Sequence, residues 1–219
     1  MSKQTEQVAT ALRAKVGVIW IRTAEESRVQ RELVPLAEAM KYKIMTWTVT
    51  GGLRELTGDV NSQTRDSSTA ITSLLKSTGR VLGIFRDIGS WLGDPISKRT
   101  FKDAHQAVPT MEKEQAKQII VIDPGDPPKD VLGLTTIDWN LPDREDCGRI
   151  LAGMLEWAPE TAKVDAAKNG NGDAIVSAMI GLSAEDAANA LSRSLAEKGT
   201  FDLKLVSAEK ARLVRGTGL

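Results

Sequence analysis

One cysteine, Cys147, and one histidine, His105, set the first limits on what this chain can do. No intramolecular disulfide can close, and no multi-cysteine or histidine-cluster metal site can be assembled. An excess charge of one sign is also missing. Lys and Arg number 29 and Asp and Glu number 29, which weighs against a bulk nucleic-acid or membrane-surface binder. No apolar run approaches the roughly 18 residues needed to cross a bilayer. Met1 to Lys15 is polar with scattered Ala and Leu, without the apolar centre of a signal peptide. Nor does G-x-x-x-x-G-K-[ST], the signature of a phosphate-binding loop, occur anywhere. These absences lead to the expectation of a soluble cytoplasmic protein with no membrane contact.

What is present is an alternation of short apolar runs and helical spacing. Five β-branched runs stand out: Val16 to Ile21, Ile44 to Val49, Val81 to Phe85, Gln118 to Ile122 and Thr135 to Trp139. The third and fourth are nearly continuous in apolar residues, as suits parallel strands covered on both faces. Helical spacing between the first four gives β-α-β-α-β-α-β and then a fifth strand, a doubly wound α/β pattern. Thr23-Ala24-Glu25-Glu26 reads as a capping box opening the first helix. Its apolar face is Val29, Leu33, Leu36, Ala37 and Met40, and Pro35 should kink or divide it. Gly51 to Asp66 reads as a long polar, mobile loop, followed by a weaker helix at Ser68 to Lys76 closed by Gly79.

The character changes after Trp139. Pro142 suits the first position of a helix, and Cys147, Ile150, Leu151, Met154 and Leu155 are spaced to bury one stripe. Asn169-Gly170-Asn171-Gly172 breaks the pattern. Two helices then follow, near Asp173 to Ile180 and Ser183 to Lys198, the second with Ser183 as N-cap. The expected organisation is a polar segment over 1–15, an α/β core over 16–140, a helical lid over 141–205 and a linker over 206–219.

Several collinear segments carry a family resemblance. They are Ile19-Trp20-Ile21-Arg22-Thr23-Ala24-Glu25-Glu26, Trp47-Thr48-Val49-Thr50-Gly51-Gly52-Leu53, Ile84-Phe85-Arg86-Asp87-Ile88 and Leu141-Pro142-Asp143-Arg144-Glu145. Gly181-Leu182-Ser183-Ala184-Glu185-Asp186-Ala187-Ala188-Asn189-Ala190 resembles an AAA+ lid helix. Together they resemble the N-terminal half of the AAA+ ATPases encoded as conserved open reading frames in plastids and cyanobacteria, with bacterial and phage relatives. The resemblance implies a five-stranded parallel AAA+-like sheet of the P-loop type without a phosphate-binding loop, then a small all-α lid. It also implies that a complete ATPase module follows. Arg215-Gly216-Thr217-Gly218-Leu219 resembles the junction before that module. ATP and magnesium are then expected only downstream, with no cofactor on this chain. A genuinely short gene product is the other reading.

A phosphate-binding loop should follow the first strand, where glycines let backbone N–H groups converge on phosphate. Here Arg22-Thr23-Ala24-Glu25-Glu26 follows, with neither glycine nor lysine. Glu26 would sit at the helix N-terminus, gaining roughly 0.3–1 kcal/mol from the helix dipole and repelling an anion. In the resemblance Asp87 takes the place of the magnesium-binding acid, but Ile88 stands where a catalytic Glu would be. The bland reading is that Asp87 caps its loop or pairs with Arg86 or a neighbour. Arg144 as an arginine finger would need a neighbour's site to complete, so it reads first as decoration of a helix start. No catalytic residue and no metal ligand is assigned.

Trp91 follows Asp87 in a loop near the strand ends where open sheets bind ligands, and with Arg144 it is a candidate partner contact. Trp20, Trp47 and Trp139 lie in strands and read as core, Cys147 as a buried inert thiol, and His105 as a solvated or partly packed imidazole. Asp123-Pro124-Gly125-Asp126-Pro127-Pro128 could form an acidic metal loop but reads first as a rigid turn. Lys98, Arg99, Lys102, Lys113 and Lys117 would bind nucleic acid only if they formed one stripe. The leading expectation is a non-catalytic interaction and assembly domain of an AAA+ ATPase, contacting sibling subunits, in a homo-oligomer of the motor, or client proteins. A small-ligand binder using Thr50, Asp87 and Asp123, or a nucleic-acid adaptor, are the alternatives.

Overall fold

A computed structural model describes residues 2–168 and 170–216. It divides into two compact units, residues 1–139 and residues 140–219. No helix among the described residues is long and apolar enough to cross a membrane.

In the first unit β1 (Val18–Arg22), β2 (Lys43–Thr48), β4 (Val81–Arg86), β5 (Lys117–Asp123) and β6 (Thr135–Asp138) are mutually parallel. A sixth strand, β3 (Gly52–Glu55), pairs antiparallel with β2, and the sheet order is β3-β2-β4-β5-β1-β6. The five-stranded expectation is therefore corrected to six. β3 lies inside the segment expected to be a mobile loop, and tertiary partners hold it there. Thr64 Oγ1 accepts from the Leu53 amide at 2.8 Å, and Trp47 Nε1 donates to the Thr64 carbonyl at 2.9 Å. Gly52 takes a φ of +66°, and a Cβ on it would stand 1.9 Å from the Asn61 carbonyl oxygen, so no other residue fits this turn.

Helices cover both faces of the sheet. The side chains of Ile19, Ile21, Ile120 and Ile122 share one cluster with residues of α1 (Lys3–Arg13) and α2 (Glu26–Ala39). Trp20, Phe85, Ile119 and Val121 point to the other face, into a cluster with α3 (Ser67–Lys76) and α4 (Pro95–Ala107). This alternation along each strand is the period-two geometry of a sheet buried on both sides. α1 was not foreseen: the stretch read as a polar segment buries Val8, Ala9 and Leu12, and the Ser2 and Thr5 hydroxyls donate to Glu32 on α2. α2 runs unbroken through Pro35, and it starts at Glu26 rather than at a Thr23 cap. The Thr23 hydroxyl instead accepts from the Glu25 amide at 3.1 Å, a local turn.

Among the described residues the second unit is all helical: α5 (Arg144–Trp157), α6 (Glu160–Ala167), α7 (Asn171–Met179), α8 (Ala184–Lys198) and α9 (Leu203–Gly216). Cys147, Leu151, Met154, Ile175, Met179, Leu191 and Phe201 form its core. Pro142 does not open α5. Asp143 does, in a reciprocal capping box with Asp146. Ser183 caps α8 as expected, through the Asp186 amide. The stretch expected as a linker from residue 206 is mostly the helix α9, with Val206 fully buried. Asn169 in the glycine break, and 217–219 in the junction, lie outside the described residues.

Candidate functional site

The C-terminal ends of β1, β5 and β4 lie side by side, because β5 separates the other two. The turn from β1 to α2 is only Thr23-Ala24-Glu25. It is pinned to β5 by the Thr23 amide, which donates to the Asp123 carbonyl at 3.3 Å. Beyond it, Glu26 reaches above β5 to Arg86 at the end of β4, Nη1 to Oε2 at 3.4 Å. Burial, and then the Asp87 carboxylate nearby, hold the Glu26 carboxyl above the usual range, against the lowering pull of Arg86. The end of the sheet between β1 and β4 thus carries the Glu26 carboxyl and the Arg86 guanidinium, with the Asp87 carboxylate acting on Glu26.

The sign of the Glu26 shift makes a prediction. A carboxyl whose folded pKa is raised contributes stability fully present below its unfolded pKa and lost as pH rises through the folded one. Glu26→Gln, which keeps the neutral shape, is therefore expected to raise the unfolding midpoint near neutral pH and to match the parent in acid. Urea titrations at both pH values check this. A neutral-pH loss that disappears in acid would mean that the Arg86 pair outweighs burial.

Asp87 is where the sequence placed it, directly after β4, with left-handed backbone (φ 54°). Its side chain does not cap the turn that follows. That role falls to Asp123, which the sequence offered as part of a rigid turn, of an acidic metal loop or of a small-ligand site. Asp123 Oδ2 accepts from the Gly89 amide at 2.9 Å and Oδ1 from the Gly125 amide at 2.8 Å. The Asp123–Pro128 segment is therefore a hydrogen-bonded turn. Among the described residues no group of three or more His, Cys, Asp or Glu side chains is disposed to hold a metal. Thr50, the third member of the small-ligand reading, sits in the β2–β3 turn with its hydroxyl 3.3 Å from that of Thr48.

Trp91 ends the short turn Ile88–Trp91 and is 45% exposed, while Ile88 and Leu92 on either side are buried. Arg144 lies on α5 in the second unit, where it donates to the Ser177 hydroxyl at 3.0 Å and pairs with Asp173 at 3.3 Å. It joins α5 to α7. Cys147 is fully buried, and the half-buried His105 has its Nε2 3.2 Å from the Leu132 carbonyl. Lys98 and Lys102 pair with Asp130, and Arg99 with Asp103 on its own helix. Lys117 is buried, its ammonium bonded to the Gly79 and Gln115 carbonyls and its pKa lowered by that burial.

A parallel sheet in the order β2-β4-β5-β1-β6, wound with helices on both faces, defines a doubly wound α/β unit, and a helical unit follows it in the chain. The sequence is specific about the family. Residues 4–137 match the model of the SpoVK-like AAA ATPase N-terminal domain, and residues 145–217 that of the SpoVK-like AAA ATPase second domain. The chain belongs to this family of SpoVK-like AAA ATPases. A crystal structure of the FIGL-1 AAA domain in complex with ADP has the same fold, with a TM-score of 0.58 at 14% identity, covering 96% of this chain and 76% of that one. No curated protein matches the chain in sequence.

Proposed function

We propose that this chain is a non-catalytic interaction and assembly region of an AAA+ ATPase, and that ATP is hydrolysed by a downstream module. The observation that carries this reading is the β1–α2 turn. Phosphate binding needs converging backbone N–H groups and a cation. Here the turn holds no glycine, and a half-buried Glu26 shares the sheet edge with Asp87. These residues do not fit a magnesium–triphosphate group. The matched N-terminal and second domains of an AAA ATPase support a place ahead of a catalytic module, in the plastid and cyanobacterial branch that the collinear segments resemble. Partners would be sibling subunits or client proteins in the cytoplasm.

The chain on its own is expected to show no ATP turnover with magnesium and no heat of ATP binding by calorimetry. The native polypeptide is expected to be heavier than 23.7 kDa and to hydrolyse ATP. Removing residues 1–205 from it should abolish higher-order association or client handling while leaving ATP turnover. Tight ATP binding by the isolated chain, or unchanged assembly after the deletion, would refute the proposal.

A further inference from the structure

The first unit has an open cleft of ≈ 610 Å³ between the starts of α3 and α4. Its walls carry three apolar side chains left in water: Val49, 37% exposed, Trp91, 45%, and Ile96, 69%. Scattered exposed apolar residues need no explanation, but three converging on one concavity, one of them a tryptophan, mark an interaction surface. The geometry is fixed from below. Asp123 holds the Gly89 amide, Ile88 and Leu92 are buried, and the Ser67 and Ser97 hydroxyls join the two helices at 2.8 Å.

Charge selects the occupant. The two carboxylates on the walls, Asp66 and Asp94, cap their own helices, accepting from the Thr69 amide at 2.8 Å and the Ser97 amide at 2.7 Å. Each is thereby matched by the positive end of its helix dipole. Arg65 is the remaining charge. It is exposed on the cleft wall, and among the described residues no carboxylate pairs with it, whereas Lys98 and Lys102 nearby share Asp130.

We propose that this cleft docks a segment of a partner protein that places bulky apolar side chains against Trp91, Val49 and Ile96 and an Asp or Glu against Arg65. The occupant is a protein segment rather than nucleic acid, because a single unpaired cation does not follow a phosphate backbone. The inference rests on the interaction role proposed above, yet the two fail separately, since peptide capture is independent of ATP turnover.

The test is selection from a random peptide display library on the full chain, on Trp91→Ala and on Arg65→Glu, each first shown to unfold like the parent. The parent is expected to enrich sequences pairing bulky apolar residues with Asp or Glu. Trp91→Ala should weaken the selected peptides about tenfold or more, and Arg65→Glu should turn the preference toward Lys and Arg. Each of four results would overturn the proposal. These are no common sequence, one without an acidic residue, binding unchanged in Trp91→Ala, or retention of single-stranded DNA through Trp91 with no peptide selected.

Discussion

Trp20→Ala is expected to lower the stability of the first unit by about 3–5 kcal/mol, the range for removing a buried tryptophan from a packed core. The magnitude follows from three contacts that one side chain makes. Its ring is fully buried and meets Phe101 of α4 edge-on, at 6.4 Å between centroids and 85° between planes. Its Nε1 donates to the Gly125 carbonyl at 2.9 Å, tying the first strand to the turn after the fifth. Its far edge lies over Gly89, where a Cβ would be 3.3 Å from the ring and 2.6 Å from Asp123 Oδ2. A midpoint drop of roughly 10–17 °C is expected for a unit of this size. Trp20→Phe should recover more than half, since it keeps the aromatic contact and loses only the indole N–H and part of the ring. Hydrogen exchange at β1 and β5 amides during urea unfolding reads this unit alone, so the result does not depend on how the helical unit unfolds. A loss under about 1 kcal/mol would mean that the core collapses around the gap, contrary to interior packing.

The parallel strands were legible because burial on both faces demands near-continuous apolar runs, and Val81–Phe85 and Gln118–Ile122 supply them. β3 was not. Gly52–Glu55 has one large apolar residue, Leu53, and its pairing depends on Thr64, Asn61 and Trp47, none of which is a local signal. α1 shows how few apolar residues a helix needs when one side is solvated: Val8 and Leu12, one turn apart, with Ala9 and Ala11 close by. Its polar partners Ser2 and Thr5 find a carboxylate, Glu32, that sequence spacing gives no reason to pair with them.

At the candidate site the outcome was similarly divided. Asp87 and Trp91 stand where strand order and spacing put them, since both are fixed by the end of β4. The Thr23–Glu26 capping box failed because a local motif competed with a tertiary partner: Glu26 turns to Arg86, sixty positions along the chain. The cleft was invisible in sequence because Arg65, Val49 and Ile96 come from three separate segments. Only Trp91, a large aromatic residue in a loop, announced it.

Asp123→Ala is expected to cost about 3–5 kcal/mol and also to weaken whatever binds at Trp91. The carboxylate is buried and accepts from two backbone amides, Gly89 and Gly125. A hydrogen bond to a charged acceptor contributes about 1.5–3 kcal/mol, and a buried amide left without one carries its full desolvation cost. Alanine removes both bonds at once. Asp123→Asn keeps the shape, but its amide group can accept through one oxygen only, so about half the loss should remain. The coupling to the surface is geometric. Gly89 belongs to the short turn that ends in Trp91, so releasing its amide lets the exposed indole leave the cleft while the sheet beneath stays paired. Urea unfolding gives the stability change, and tryptophan-specific quenching by iodide gives the exposure of Trp91, with Trp91→Phe as the subtraction. If Asp123→Ala loses stability yet leaves the quenching of Trp91 unchanged, the turn is held by Ile88 and Leu92 alone. If it costs less than about 1 kcal/mol, the buried carboxylate is not a structural clamp, and a ligand role for it at the strand ends returns to consideration.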